Sequence, residues 1–220
     1  ITGNRGNDTI NALGGDDVIN WSAGLLGLLP DGRDSVNGGT EGADGDTFVI
    51  NGSAGAETYR VYTRAAALSA GMSGIAAATE IVITRNGVNN ASTIAELTEI
   101  EEILINTGAG NDTVLAIGDF SPTNLSFNTI TINGGTDDET VNISGLMSAH
   151  RILFRSNGGD DTIVGTLRPQ DVVELAPGQQ LSSYALVDNG NGTKSFSNGT
   201  HSITFTGSVV PQFQEATSGE

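Results

Sequence analysis

Eight short motifs along the chain carry acidic side chains that could bind a cation. In each motif an acidic residue is followed by a small, mostly hydroxyl-bearing residue and then by an apolar residue. The acids are Asp8, Asp17, Asp34, Asp46, Glu57, Asp112, Glu139 and Asp161. Calcium is a hard ion that takes about six to eight oxygen ligands, which a carboxylate and nearby carbonyls can supply. The motifs therefore predict metal sites at these eight positions.

The loops before the acids are rich in glycine, which permits the positive φ angles of tight turns. Such turns could direct backbone carbonyls at the cation, and we expect this of six glycines: Gly108, Gly110, Gly134, Gly135, Gly158 and Gly159. The alternative for the aspartates is an Asx-type turn, in which the side chain bonds its own backbone. The longer Glu57 and Glu139 side chains fit such a loop less well.

A nine-residue period links the first two motifs. Residues 3–11 read GNRGNDTIN, and residues 12–20 read ALGGDDVIN. This resembles the nonapeptide G-G-x-G-x-D-x-U-x, with U apolar, of the repeats-in-toxin (RTX) family. The resemblance implies calcium-binding turns, type I secretion and an extracellular location. It also implies a larger parent protein, because such repeats accompany other regions, including ones similar to haem peroxidases.

Composition is consistent with cation binding and excludes several other functions. Nine Lys and Arg residues against 26 Asp and Glu residues give a net charge of −17, which argues against nucleic acid as a partner. The absence of cysteine excludes disulfides and thiolate metal sites. No apolar run is long enough for a membrane span. The chain begins within a repeat, so we expect it to be part of a longer protein.

Longer repeats follow the short ones. Four segments align at eleven positions: 49–59, 104–114, 131–141 and 153–163. A degenerate repeat at 81–90 would fill the long gap between Glu57 and Asp112. Strands recurring at one phase predict a parallel β-helix, with Glu57, Asp112, Glu139 and Asp161 on one edge.

The predicted fold is therefore all-β: a right-handed parallel β-roll and β-helix solenoid with a C-terminal antiparallel cap. We divide it into a β-roll at 1–46, longer repeats at 47–164 and the cap at 165–220. The two-nonapeptide turn of the RTX β-roll implies that Asp17 pairs with Asp34, and Asp8 with the loop ending at Leu26. In the longer repeats Asp112 should neighbour Glu139, and Glu139 should neighbour Asp161.

No catalytic constellation is recognisable in the sequence. His150 and His201 lie far apart and have no neighbours at metal-ligand spacing, so we expect structural roles for both. The predicted function is a secreted calcium-binding repeat domain without enzymatic activity, whose partners are calcium ions. The alternatives are an adhesive module that binds an extracellular glycan or protein, and an accessory region of a secreted enzyme, peroxidase-like or polysaccharide-active.

Overall fold

The computed structural model describes residues 1–24, 30–126, 130–207 and 210–216. Within these ranges the chain forms twenty β-strands, one α-helix and two short 3-10 helices. The first ten strands are β1 (Thr9–Asn11), β2 (Gly14–Gly15), β3 (Val18–Ser22), β4 (Asp34–Asn37), β5 (Thr40–Glu41), β6 (Thr47–Asn51), β7 (Thr58–Thr63), β8 (Ile81–Arg85), β9 (Thr93–Thr98) and β10 (Glu102–Asn106).

The second half of the chain has the same character. Its strands are β11 (Thr113–Gly118), β12 (Ile130–Asn133), β13 (Thr140–Leu146), β14 (Ile152–Ser156), β15 (Asp160–Thr166), β16 (Val172–Leu175), β17 (Ala185–Asp188), β18 (Thr193–Ser197), β19 (Ser202–Thr206) and β20 (Gln212–Gln214). The helix α1 is Arg64–Ser69, and the 3-10 helices are Asn90–Ser92 and Leu181–Ser183.

Two large sheets contain most of the strands, and the chain alternates between them. The eleven-stranded sheet has the order β1-β4-β9-β8-β7-β11-β13-β15-β19-β18-β17, and the seven-stranded sheet has the order β20-β16-β14-β12-β10-β6-β3. Strands β2 and β5 form a small separate sheet. Most pairs in the two large sheets are parallel, so the predicted all-β class with long parallel sheets is confirmed.

The register of the parallel strands confirms the alignment of the four longer repeats. In the seven-stranded sheet Val49 pairs with Leu104, Leu104 with Thr131 and Thr131 with Leu153. The eleven-stranded sheet preserves the same order across β7, β11, β13 and β15. The loops between the two sheets therefore also lie one above another.

The segment 81–90 is not a further repeat, and this expectation was wrong. Strand β8 pairs antiparallel with both β7 and β9, inside the eleven-stranded sheet. Strands β6 and β7 instead pair directly with β10 and β11, so Glu57 and Asp112 are immediate neighbours. The Ala-rich stretch after β7 begins with α1, whose first turn is capped by the Thr63 hydroxyl.

The C-terminal region combines both kinds of pairing. Strands β17 and β18 form the antiparallel hairpin predicted around 188–192, and β18 pairs antiparallel with β19. Strand β19 is nevertheless parallel to β15, and β16 and β20 extend the seven-stranded sheet in parallel. In the described residues past 164, the parallel pattern thus continues through β16, β19 and β20, and the antiparallel pairs are β17 with β18 and β18 with β19.

One hydrophobic cluster joins the two large sheets. Alternating buried and partly exposed positions, as in β11 and β14, place one side of each strand in this core. The cluster includes Trp21 and Phe48 from the seven-stranded sheet and Tyr59 and Val114 from the eleven-stranded sheet. In the part of the chain that is described, no helix has the length and apolarity needed to cross a bilayer.

Candidate metal-binding site

Four of the predicted acids form a column at the amino-terminal ends of four neighbouring strands, β7, β11, β13 and β15, in the eleven-stranded sheet. Column 1 consists of Glu57, Asp112, Glu139 and Asp161. The threonine that follows each acid pairs with the threonine that follows the next acid in the column. Adjacent acids are therefore about one strand spacing, roughly 4.8 Å, apart. The prediction that these four share an edge, with Glu139 between Asp112 and Asp161, is confirmed.

A recurring hydrogen-bond pattern explains why an acid occupies this position. The backbone N–H of Glu57 donates to Asp112 Oδ1 at 2.7 Å, and the Glu57 carbonyl accepts from the N–H of Thr113 at 2.8 Å. The Asp112 side chain thus accepts the amide that lies just before the first paired residues of β7 and β11. A buried amide without a partner would be costly, so the acid has a structural role whether or not a metal is bound.

The same pattern recurs elsewhere. A carboxylate accepts the amide of the acid in the neighbouring strand in four further pairs: Asp34 with Asp8, Asp46 with Asp17, Glu101 with Asp46, and Asp161 with Glu139. Column 2, defined as Asp17, Asp46 and Glu101, lies where the chain enters the seven-stranded sheet at β3, β6 and β10. Acids that accept a neighbouring backbone amide therefore occur at the strand starts of both large sheets.

The expected pairing of the short repeats was wrong. Asp17 pairs with Asp46, 29 residues away, and Asp8 pairs with Asp34, 26 residues away. Acids nine residues apart lie at different sheets, so one repeat carries the chain from one sheet to the other. The proposed partner loop at Leu26 lies outside the described residues.

The six predicted glycines lie in loops that pack closely on one another. A Cβ at Gly108 would lie 2.0 Å from the Ser53 carbonyl oxygen, one at Gly135 would lie 2.3 Å from that of Gly108, and one at Gly159 would lie 2.1 Å from that of Asp137. Gly108 and Gly159 also have positive φ angles, of 97° and 75°. Close loop stacking therefore explains why glycine is needed at Gly108, Gly135 and Gly159, and the role of the carbonyls near all six glycines as ligands stays a prediction.

The two ends of column 1 are well supplied with hydrogen-bond donors. Glu57 accepts from the Ser53 N–H at 2.7 Å and the Tyr59 hydroxyl at 2.7 Å, and it forms an ion pair with Arg85. At the other end, Asp161 Oδ2 accepts from the Ser156 hydroxyl and lies 3.8 Å from His201 Nε2.

Both ring nitrogens of each histidine lie within hydrogen-bond distance of other groups of the protein. His201 Nε2 lies 2.6 Å from the Ser156 hydroxyl, and His201 Nδ1 lies 2.5 Å from the Tyr184 hydroxyl. His150 is buried, with Nδ1 2.9 Å from the Ser148 hydroxyl and Nε2 2.8 Å from the Leu125 carbonyl oxygen. The expected structural role of both residues stays a prediction, since these contacts alone test no activity.

The two central acids of column 1, Asp112 and Glu139, have fewer hydrogen-bond donors around their carboxylates than Glu57 and Asp161 have. Asp112 and Glu139 are only 1% and 2% exposed, yet within the described part of the chain Asp112 Oδ2 and both Glu139 carboxylate oxygens have no hydrogen-bond partner of normal geometry. Burial, together with the charges of Asp161 and Asp112, raises the pKa of Glu139 to about 8, although the nearby Gly135 amide acts in the opposite direction. Burial likewise raises the pKa of Asp112 to about 6.

These oxygens fit a hard cation. Six buried carboxylate oxygens in the described ranges have no hydrogen-bond partner: Asp8 Oδ2, Asp46 Oδ2, Glu101 Oε1, Asp112 Oδ2, Glu139 Oε1 and Glu139 Oε2. Three of the six belong to one adjacent pair in column 1. The described chain contains no group of three or more His, Cys, Asp or Glu side chains placed to hold one ion. Any ion here would therefore need backbone or water oxygens in addition.

Two features of the site were not predicted from the sequence. Glu101 belongs to column 2, and Asp171 plays a similar part by accepting the Ile152 N–H at 3.1 Å. The sequence feature that could have identified both residues is an acid directly before a strand, without the Thr that follows the acid in most of the motifs. The second feature is a ladder of side-chain amides, Asn157 to Asn133 to Asn106 to Asn51, with bonds of 2.9, 3.1 and 3.0 Å. Three of these asparagines occupy the same position in the aligned repeats.

Comparison with known proteins adds no further assignment. No protein-family model matches the chain, and a search of curated proteins finds no significantly similar one.

Proposed function

We propose that the chain is a calcium-binding repeat domain of the RTX type, in which calcium completes the acidic columns and stabilises the fold. The observation that supports this most strongly is the set of three unpartnered oxygens on the buried neighbours Asp112 and Glu139. Two adjacent buried carboxylates repel each other and have lost their hydration, so their ionised forms are costly without a counter-charge. A divalent cation supplies that charge.

Calcium suits this site better than a softer metal does, because the available side-chain ligands are all oxygens. In this proposal Asp112 and Glu139 contribute carboxylate oxygens, and carbonyls near Gly108, Gly110, Gly134, Gly135, Gly158 and Gly159 complete the coordination. Asp8, Asp34, Asp46 and Asp17 form weaker sites on the same principle. Glu57 and Asp161 contribute less, since both already have hydrogen-bond partners.

The fold that we propose is a right-handed parallel β-helix, continuous with a β-roll at the N-terminal end and closed by the β17–β18 hairpin. The alternation of the chain between two parallel sheets that share one core supports it. The resemblance to RTX repeats supports a secreted, extracellular protein in which this region is a calcium-folded module without turnover of its own.

Thermal unfolding followed by circular dichroism tests the proposal. Calcium added after a chelator should raise the melting temperature of the wild type, because a ligand that binds only the native state stabilises it by mass action. The double variant Asp112→Asn/Glu139→Gln should lose most of this increase. Asp188→Asn, which removes one charge from the exposed hairpin, is the matched control and should keep it. Identical calcium responses in all three proteins would refute the proposed site.

A further inference from the structure

Strand β17 is the outer strand of the eleven-stranded sheet at its C-terminal end, and all four of its residues are exposed. The other outer strands of the two large sheets, β1, β3 and β20, each contain buried or half-buried residues. Strand β17 is nevertheless apolar, with Leu186 46% exposed and Val187 49% exposed. An exposed apolar edge of this kind is a surface on which a strand of another chain can pair.

The hydrogen bonds of the hairpin show which backbone groups of β17 face its free edge. The Asn189 N–H donates to the Thr193 carbonyl at 3.1 Å. Residues of an antiparallel pair alternate between those that bond the partner strand and those that face away from it. In the register of β17 with β18, Val187 therefore bonds β18, whereas Leu186 and Asp188 direct their N–H and C=O groups to the other side. In the described part of the chain no strand lies on that side, so four backbone groups are available there.

These four groups are complementary to the same four groups of a second copy. If two β17 strands pair antiparallel with their Val187 residues facing each other, Leu186 of each copy lies opposite Asp188 of the other. The two N–H and two C=O groups of each strand then form four hydrogen bonds across a two-fold axis, and none is left unpaired. The Val187 side chains meet at the axis, in the closer, non-hydrogen-bonded type of pair.

The charge distribution also favours this region for contact between copies. The net charge of the chain is −17, so two copies repel each other over most of their surface. Residues 176–214 contain one acidic residue, Asp188, and one Lys or Arg residue, Lys194. These two residues face each other in the register of β17 with β18. The hairpin therefore presents no net charge to an approaching copy.

We propose that β17 is a self-association surface, through which two copies of the chain join their eleven-stranded sheets edge to edge. The contact consists of one short strand from each copy, so it is smaller than the interface of an obligate dimer. The dimer therefore forms reversibly and depends on protein concentration. Its formation does not require a metal ion at the acidic columns, so it can be tested separately from calcium binding.

Cysteine cross-linking tests the location and the register. The chain has no cysteine, and facing Val187 Cα atoms would be about 4.5 Å apart, within the range of about 4.4–6.8 Å for disulfides. With oxidised glutathione and calcium present, Val187→Cys should form a covalent dimer at least about tenfold faster than Val88→Cys, which is similarly exposed in the turn after β8. Asp188→Cys should also link slowly, because its two copies would be diagonal neighbours about 7–8 Å apart. Equal rates for the three variants would overturn the proposed pairing.

Sedimentation velocity over a range of concentrations tests the association itself. The wild type should shift from the mass of one chain to that of two. Leu186→Pro removes an N–H that bonds nothing within its own copy, and Val187→Lys places two like charges at the axis. Both should raise the dissociation constant of the dimer at least about tenfold, whereas Val88→Lys should not.

Circular dichroism establishes that each variant is folded, and Val187→Lys preserves the test if Leu186→Pro is not. The proposal is overturned by a wild type that stays monomeric at its highest soluble concentration, or by wild-type association of Val187→Lys. Growth beyond the dimer would also overturn it, because a two-fold contact closes after two copies. None of these results depends on the calcium response of the protein.

Discussion

Glu57 and Glu139 occupy equivalent positions in column 1 but have opposite surroundings. Glu57 is satisfied by a backbone amide, a tyrosine hydroxyl and the Arg85 guanidinium, whereas among the described residues neither carboxylate oxygen of Glu139 has a hydrogen-bond partner of normal geometry. The difference arises from the inserted strand β8, which brings Arg85 to Glu57 and has no counterpart beside Glu139. Equivalent positions in a repeat are therefore not equivalent sites, and the need for a cation is concentrated at the centre of the column.

The largest effect should come from making Glu57 resemble Glu139. Arg85→Met removes the only cationic partner that Glu57 has in the described structure and leaves a carboxylate that is 3% exposed. Breaking a buried ion pair from one side typically costs about 3–5 kcal/mol in the free energy of unfolding. Urea denaturation of wild type and variant, in chelator, measures this loss. A change below about 1 kcal/mol would show that the ion pair does not stabilise this end of the column.

Neutralising the two glutamates should have opposite effects in the absence of calcium. Glu139→Gln removes an uncompensated buried charge, so we expect it to raise the free energy of unfolding in chelator at pH 8 by about 1–3 kcal/mol. Glu57→Gln, the matched control, removes half of an ion pair and should lower it. With calcium present, Glu139→Gln should become the less stable protein relative to wild type. Denaturant unfolding in both conditions measures the difference. If both variants change the free energy of unfolding in the same direction in chelator, the contrast between Glu57 and Glu139 is wrong.

The pH dependence of the calcium-free protein follows from the same contrast. The pKa of Glu139, about 8, and that of Asp112, about 6, lie above the values of the unfolded chain. The unfolded state therefore releases these protons at lower pH than the folded state does. Their contribution to stability is fully present below about pH 4, and it is lost progressively as the pH rises through 6 and 8.

Melting temperatures measured without calcium between pH 5 and pH 9 test this expectation. The wild type should become less stable toward pH 9, and Glu139→Gln should flatten the upper part of the curve. A wild-type melting temperature that rises steadily over this range would contradict the raised pKa of Glu139.

The smallest effect should occur at the N-terminal edge. Asp8 is only partly buried, and its carboxylate accepts no neighbouring amide in the described structure. Asp8→Ala should therefore lower calcium affinity and stability much less than Asp112→Ala, which also orphans the Glu57 amide. Asp161→Ala should resemble Asp112→Ala in its loss of stability, because it orphans the Glu139 amide, but it should lower calcium affinity less than Asp112→Ala does. Calorimetric titration of the three variants compares them, and equal losses at all three positions would contradict this ranking.

The sequence allowed the longer repeats to be aligned residue by residue because each combines a strand, a glycine-rich loop and an acid at one spacing. It did not reveal the insertion, since Ile81–Arg85 has the same apolar character as a repeat strand and its direction depends on tertiary pairing. The nine-residue period of the short repeats was visible, but it led to a wrong prediction of the acid that pairs with Asp17. Successive repeats there belong to different sheets, and only the register of β1 with β4 and β3 with β6 shows this.

The motif also could not predict that Glu57 and Glu139 have different hydrogen-bond partners. The side chain that neutralises Glu57 is 28 residues away in sequence, on a strand outside the repeat. A motif records which residues share a position, whereas hydrogen bonding and charge compensation depend on what the rest of the chain brings to that position. Glu101 was missed for a related reason, because it holds the acid position without the residues that mark the motif.

Calorimetric titration of calcium into the wild type, Glu139→Gln and Glu57→Gln at neutral pH tests the central claim most directly. If the unpartnered oxygens at Asp112 and Glu139 hold a calcium ion, the tightest binding event of the wild type should be lost in Glu139→Gln and retained in Glu57→Gln. Indistinguishable isotherms for the wild type and Glu139→Gln would contradict the account and leave the column as a purely structural hydrogen-bonded ladder.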